Sequence, residues 1–374
     1  MQHVPLRINF VLPGFSNIPI GGYKVVYQYA NALSNRGHAV KVVHPPWCNI
    51  KESISPANFI RQQIKMAAGP LAARRLAGER VAWFPLDEKV EQVIVPDIRE
   101  RYIPDSDTTI ATAWTTAPWV ASYSKSKGRG YYLIQHYEAW DGLSNAVDKT
   151  WMLPLQKIVI AKWLLNKAIE FGESERTTYI PNGLDIDRFR LTRAIEDRPN
   201  RVLMLGHKAA WKGMNDGVKA LEIVRGILSD VLATIFGTDS RPDSLPKWID
   251  YIQLPTPESL TQLMNDSAIF LHPSWTEGLP APPAEAMACG CALVAAANDG
   301  VLDYVTEGVT GLVAPIKNPQ ALADCMIRLL EDTRLRSEIA KAGHEYIQRY
   351  SWDKAVDQLE NLLLQGRNSD TDAR

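Results

Sequence analysis

Apolar positions along the chain fall into two successive sets of short strands and amphipathic helices. The first opens with a run at Ile8 to Leu12 and a Pro/Gly-rich loop to Gly22. Val26, Tyr29, Ala30 and Leu33 then follow at i, i+3, i+4 and i+7, the spacing of one helix face. Gly37 ends that helix, and Ala39 to Val43 reads as a second strand. A strand–helix–strand unit of this kind implies parallel pairing with a right-handed crossover. Further strands are predicted at Thr109–Ala113, Tyr131–Ile134 and Lys157–Ile160, and a helix at Ala161–Phe171 stopping at Gly172.

The stretch Arg188 to Asn200 is poor in apolar residues and suits a linker. A second alternating set comes after it. Strands are expected at Arg201–Leu205, Ala233–Phe236, Ala268–Leu271 and Ala292–Ala295, and helices at Asn215–Leu228, Pro257–Asn265, Pro282–Ala288 and Pro319–Glu331. Leu322, Met326, Leu329 and Leu330 stripe the last of these. Two more helices, Leu335–Arg349 and Asp353–Leu364, close the chain. The pattern predicts an α/β protein of two doubly wound domains, 1–180 and 181–351, then a terminal helix over 352–366 and a disordered polar tail over 367–374.

Composition adds bounds. At 374 residues the chain fits two ordinary cores. Forty-one Lys+Arg against 42 Asp+Glu leaves no net field to attract nucleic acid. Cys48, Cys289, Cys291 and Cys325 form no paired framework and lack histidines at zinc spacing, which favours a reducing compartment without a metal site. No apolar run reaches membrane-spanning length, so a cytoplasmic protein is expected.

The candidate chemistry concentrates between His272 and Gly290. Glu277 and Glu285 stand eight residues apart across a Gly/Pro-rich turn between a strand and a helix. Such a loop presents backbone N–H groups to anions, and carboxylates there suit sugar or ribose hydroxyls. The Glu at the head of a helix is also what the macrodipole alone would favour. After Leu205 the loop carries His207, Lys208 and Lys212; two lysines four apart can neutralise a diphosphate or form a solvated surface. Gly21-Gly22, between the first strand and helix, makes either a simple turn or a close approach for a phosphate or reacting centre. His136 and Glu138 follow a strand end, where catalytic groups lie in such sheets, although a packed histidine fits equally. Asp105-Ser-Asp107 and Asp185-Ile-Asp187 have the look of a metal pair but sit in turn and linker settings, and no metal is expected.

The segment from Glu277 through Gly290 resembles the E-x7-E signature of the family-4 retaining glycosyltransferases. The likeness continues at Gly308-x-x-Gly311, at Lys212-Gly213, at the Pro181-Asn-Gly-x-Asp185 segment and, more loosely, at Gly21-Gly22 and Leu33…Gly37-His38. It implies the GT-B fold, two Rossmann-like domains facing across a cleft with the last helix returning to the first. It also implies a nucleotide diphosphate sugar donor, a hydroxyl acceptor in cell-surface polysaccharide or glycolipid synthesis, and no cofactor. Carried over, Glu277 touches the donor sugar, Gly278, Leu279 and Pro280 touch sugar and phosphate, Glu285 holds the ribose, Lys212 faces the diphosphate and Gly22 lies near it. Where the family has Arg, this chain has His207 and Lys208, of which Lys208 is the expected cation. Gly300-Val-Leu-Asp303 departs from the family's Gly-Gly-x-x-Glu, leaving Asp303 as a shorter substitute or a surface acid. His136 is expected near the reactive face of the sugar.

Rival readings are another GT-B enzyme, such as a nucleotide-sugar epimerase or phosphorylase, and a non-catalytic sugar-binding GT-B protein. A nicotinamide oxidoreductase is disfavoured by the lack of G-x-G-x-x-G. Seven of the eleven tryptophans precede residue 165, and Ala57 to Phe84 carries Arg61, Lys65, Arg74, Arg75 and Arg80 against Glu79. That first domain could stack a sugar acceptor or rest peripherally on anionic lipid, unless the rings are core and the charges a solvated helix face.

Overall fold

Apolar runs at the predicted places pair into two all-parallel sheets. The computed structural model describes residues 4–47, 56–139 and 144–372, excluding the side chains of 56–63 and 368–372. Cys48, Trp140, the Arg61 side chain, and Ala373 and Arg374 of the tail lie outside the described residues. The chain divides into two compact units, Met1–Pro181 with Asp353–Arg374, and Asn182–Trp352.

In the first unit, β1 (Arg7–Val11), α1 (Gly21–Asn35), β2 (Ala39–His44), α2 (Pro56–Leu76), β3 (Glu91–Ile94), β4 (Thr108–Ala111), α3 (Ala117–Val120), β5 (Arg129–Ile134), α4 (Ser144–Trp151), β6 (Gln156–Val159), α5 (Lys162–Glu170) and β7 (Thr177–Tyr179) alternate. The strand order is β3-β2-β1-β4-β5-β6-β7. Order therefore reverses between β1 and β4, which pair in parallel from Ile8 with Thr108 to Val11 with Ala111. The helix stripe Val26, Tyr29, Ala30 and Leu33 is buried, as its spacing requires.

The second unit comprises β8 (Arg201–Gly206), α6 (Met214–Ile227), β9 (Leu232–Gly237), β10 (Ile249–Gln253), α7 (Pro257–Asn265), β11 (Ile269–His272), α8 (Ala281–Ala288), β12 (Ala292–Ala296), β13 (Leu312–Ala314), α9 (Pro319–Glu331) and α10 (Thr333–Ile347). Its order is β10-β9-β8-β11-β12-β13, reversing between β8 and β11. Helices cover both faces. Val202, Met204, Ile269 and Leu271 face one core with α6, α9 and α10. Leu203 and Phe270 face the other with α8. Strands buried on both sides read as unbroken apolar runs, which is why β8, β11 and β12 were legible. Thr256, Asn318 and Asp332 cap α7, α9 and α10 through their side-chain oxygens.

Three expectations need correction. Four strands escape the apolar pattern, β3, β7, β10 and β13, and each is the outermost of its sheet. Edge strands have one neighbour fewer, so they need no continuous apolar run. Second, Arg188–Asn200 is not a linker but part of the second unit. Phe189, Ile195 and Arg198 are buried, and the Arg198 guanidinium donates to the carbonyls of Met264, Ser267 and Cys289. Third, the last helix, α11 (Trp352–Asp372), runs on through Gly366 into the stretch expected to be disordered. Arg129 donates to the Gly366 carbonyl at 3.2 Å, which ties that turn down.

α11 belongs to the first unit, and His38 is the brace. Its Nδ1 accepts from Leu6 N–H at 3.0 Å and its Nε2 meets Glu360 Oε1 at 2.8 Å, while Arg36 Nη1 holds Glu360 Oε2 at 2.6 Å. Burial pushes the Glu360 carboxyl up, but His38 and Arg36 hold it below its ordinary range. Its contribution is therefore complete above the usual carboxylate pKa and is lost as pH falls through the lower folded value. Glu360→Ala should cost about 1–3 kcal/mol, the price of an unsatisfied buried partner. Urea unfolding at pH 7 checks this, and the deficit should shrink in acid.

Candidate active site

In open α/β sheets, ligands bind beyond the carboxyl ends of strands where strand order reverses. In the second unit that point lies between β8 and β11, and the loops leaving these two strands carry Lys212 and Glu277. Lys212 Nζ donates to both carboxylate oxygens of Glu277, at 2.8 and 2.9 Å. The pair is mostly enclosed, with side-chain exposures of 25% and 12%. Burial raises the Glu277 carboxyl, but the charge and hydrogen bonds of Lys212, with Ser274, keep the group below its ordinary range. Glu277 is thus a fixed anion at neutral pH.

Backbone geometry holds the lysine there. A 3-10 turn over Ala210–Lys212 ends at Gly213, whose φ of +65° is left-handed and opens α6. A Cβ at Gly213 would also overlap the Pro273 carbonyl. Trp275 then ties the two loops together. Its N–H donates to Trp211 O at 2.7 Å, and its indole Nε1 donates to Asp216 Oδ2 at 2.8 Å. Lys317 Nζ lies 4.4 Å from the centroid of the same ring.

The loop after β12 supports the Glu277 turn from beneath. Asn298 donates to Ser274 O at 3.0 Å and accepts from Val301 N–H at 3.0 Å. A Cβ at Gly300 would come within 2.6 Å of Gly278 O and 2.7 Å of Glu277 O, so only glycine lets the two loops touch. The Tyr304 hydroxyl donates to Pro280 O at 2.8 Å. Gly278 and Pro280 are buried, Leu279 is half-buried, and Glu285 is buried in the first turns of α8. Asp303 is buried rather than a surface acid.

Lys208 stands apart from this cluster: it is 80% exposed and lies 3.5 Å from Asp239. His207 turns inward and accepts from Ala209 N–H at 3.0 Å; burial and Lys212 lower its pKa, so it is neutral. The Asp-x-Asp tripeptides are engaged locally. Asp105 pairs with Lys127, Asp107 with Arg7, and Asp185 accepts from Arg188 N–H. Among the described residues no three His, Cys, Asp or Glu side chains converge as a metal ion would need.

In the first unit the reversal between β1 and β4 is flanked by Gly22, Gln135, His136 and Glu138. Gln135 Nε2 donates to Gly22 O at 3.1 Å, fixing the start of α1 to the end of β5. Glu138 accepts from Trp114 N–H at 2.9 Å, and burial, only partly offset by that bond, pushes its pKa up to about 7. His136 Nδ1 lies 3.0 Å from Tyr137 O, and its ring meets Trp163 edge-on at 5.5 Å.

Sequence reasoning overlooked His272, Trp275, Asp216 and Asn298. His272 and Trp275 lie at the end of β11, at the reversal, and Asn298 follows the neighbouring strand β12; those positions were the signal available.

Residues 185–346 match the family described as glycosyl transferases group 1. Phosphatidyl-myo-inositol mannosyltransferase of Mycobacterium tuberculosis is 22% identical over 95% of each chain. N,N'-diacetylbacillosaminyl-diphospho-undecaprenol alpha-1,3-N-acetylgalactosaminyltransferase of Campylobacter jejuni is 27% identical over 52% of this chain and 48% of its own. Among solved structures, HepE of Anabaena in complex with UDP and glucose superposes with a TM-score of 0.72 at 18% identity, covering 96% of this chain and 99% of that one. Sucrose-phosphate synthase of Thermosynechococcus elongatus gives 0.67 at 17%, over 96% and 98%. The match over the second unit and the full-length likeness to glycosyltransferases support a glycosyltransferase of the family-4 type, and the chain has the GT-B fold.

Lys212→Met should leave Glu277 an enclosed anion without its cation, and Lys212→Met with Glu277→Gln should recover much of the loss. Thermal unfolding of the two single variants and the double should give a coupling of about 0.5–3 kcal/mol. Strict additivity would show that the pair is not formed in solution.

Proposed function

We propose that the protein transfers a sugar from a nucleotide diphosphate sugar to a hydroxyl acceptor with retention of anomeric configuration, in glycolipid or cell-surface polysaccharide synthesis. The enclosed Lys212–Glu277 pair at the second unit's strand-order reversal carries this reading. In a donor complex Lys212 faces the diphosphate and offsets the charge that grows on the departing phosphate. Glu277 accepts from sugar hydroxyls, the Gly278-Leu279-Pro280 backbone lies along sugar and phosphate, and Glu285 takes the ribose. Lys208, exposed and only loosely paired, is the second cation, free to swing onto the diphosphate.

Gly22 and His136 are the first unit's candidates for a role in the reaction, at the end of the sheet where α1 begins without a side-chain cap. Retention follows from front-face attack, in which the departing phosphate takes the acceptor's proton. No carboxylate is then needed as a nucleophile. The names of the mycobacterial and Campylobacter relatives, an inositol phospholipid and an undecaprenyl diphosphate glycosyltransferase, support a lipid-linked acceptor.

A peripheral position on the inner face of the membrane goes with such an acceptor. Among the described residues no helix is long and apolar enough to cross a membrane. On α2, Arg74 and Arg75 are exposed beside Leu71, itself 58% exposed, a basic and apolar mixture suited to an anionic surface. Co-sedimentation with phosphatidylglycerol vesicles should fall on Arg74→Glu with Arg75→Glu; binding indifferent to that change removes the membrane contact.

For the reaction itself, Glu277→Ala should lower transfer by about 10²–10³-fold, the range for losing one preorganised polar contact to the reacting groups. Nucleoside diphosphate affinity should change far less. Donor consumption and product anomeric configuration, read by NMR, test both parts. Unaltered turnover in Glu277→Ala would remove the assignment, and an inverted product would remove the retaining mechanism.

A further inference from the structure

One buried histidine in this cluster has an unsatisfied ring nitrogen. His272, the last residue of β11, has a side chain only 5% exposed, and its Nε2 makes no hydrogen bond. Glu277 Oε1 lies 4.0 Å from it, about an ångström beyond hydrogen-bonding distance. Burial lowers its pKa to about 4, with Glu277 pulling upward and Lys212 pushing down. A neutral ring with an unsatisfied buried nitrogen is a cost of roughly 1–3 kcal/mol, and here that nitrogen stands beside a carboxylate.

The neighbouring pair gives that nitrogen a use. Both oxygens of Glu277 are engaged by Lys212. A lysine that turns to a diphosphate cannot keep both, and an enclosed carboxylate losing its cation must find another donor or take up a proton. The Ser274 hydroxyl already contributes to holding Glu277 ionised. His207 also feels both charges of the pair, but its Nδ1 is engaged by Ala209. His272 Nε2, 4.0 Å from Glu277 Oε1, is unengaged.

We propose that His272 is a positioning residue that takes over Glu277 when a diphosphate draws Lys212 away, keeping the carboxylate charged and aimed in the occupied site. This rests on the reading of Lys212 as the diphosphate's cation. Loss of the lysine's repulsion, with Glu277 still attracting, also raises the proton affinity of His272 on binding. Diphosphate binding near pH 6 then carries proton uptake that disappears by pH 8.

The test is titration calorimetry of the full chain with inorganic pyrophosphate and, alongside, UDP, in buffers of different ionisation enthalpy. Wild type, His272→Gln and His272→Leu are compared, with thermal unfolding as a control on folding. Gln places a donor near Nε2 but cannot titrate; Leu fills the space without one. Wild type should bind with uptake of part of a proton at pH 6. His272→Gln should bind within about 3-fold but lose its share of the uptake, while His272→Leu should bind about 10–100-fold more weakly at similar melting temperature. Equal affinities and equal uptake in all three overturn the proposal, as does a loss that Gln fails to rescue. If wild type binds neither probe, the Lys212 reading itself fails, and that outcome is distinct from the other two.

Discussion

An ammonium and a carboxylate enclosed together at the break in strand order organise the second unit's site. Neither side of the Lys212–Glu277 pair could be held there alone, because a lone enclosed charge either titrates away or draws in water. The surrounding architecture serves that pairing. Gly213 turns the chain so the lysine can face the sheet end, Trp275 ties its loop to that of Glu277, and Asn298 and Gly300 seat the acid's turn on the loop after β12. Pulling one loop out of register would strand a charge. The geometry is therefore specified more strictly than three independent loops would be.

The same pair explains how a binding site can be ready yet closed. In the form described here the lysine and the acid satisfy each other, so neither pays desolvation alone while the site waits. On the proposed function, a diphosphate competes for the lysine, and sugar hydroxyls compete for the acid. On that reading donor binding becomes an exchange of partners rather than a fresh burial of charge. With a nucleoside diphosphate alone, Glu277 keeps only the donor His272 supplies, and the sugar hydroxyls add the rest. That is a physical basis for discrimination between donor and spent donor.

Much of the fold was legible because the central strands of both sheets are buried on two faces and so appear as unbroken apolar runs. The edge strands were not, for a complementary reason. Glu91–Ile94 and Ile249–Gln253 each carry an acid and expose part of their length, so they look like loops. The polar run Arg188–Asn200 misled because Arg198 is buried by satisfying its guanidinium with carbonyls rather than an acid, which composition cannot reveal. In the site, Lys212, Glu277 and Glu285 stood out as charged residues in Gly/Pro-rich turns at strand–helix junctions. His272 did not, since one histidine ending an apolar strand is indistinguishable from a core residue until its bare nitrogen is seen facing Glu277. Likewise Leu33, Gly37 and His38 resembled a family motif, and the structure accounts for His38 as the brace that seats α11.

The most direct test is a crystal structure with a nucleoside diphosphate sugar bound. Lys212 Nζ should be found within hydrogen-bonding distance of a phosphate oxygen, released from at least one Glu277 oxygen, with that carboxylate on the sugar hydroxyls. A donor seated elsewhere, with the lysine still clasped by both oxygens of Glu277, would contradict the account.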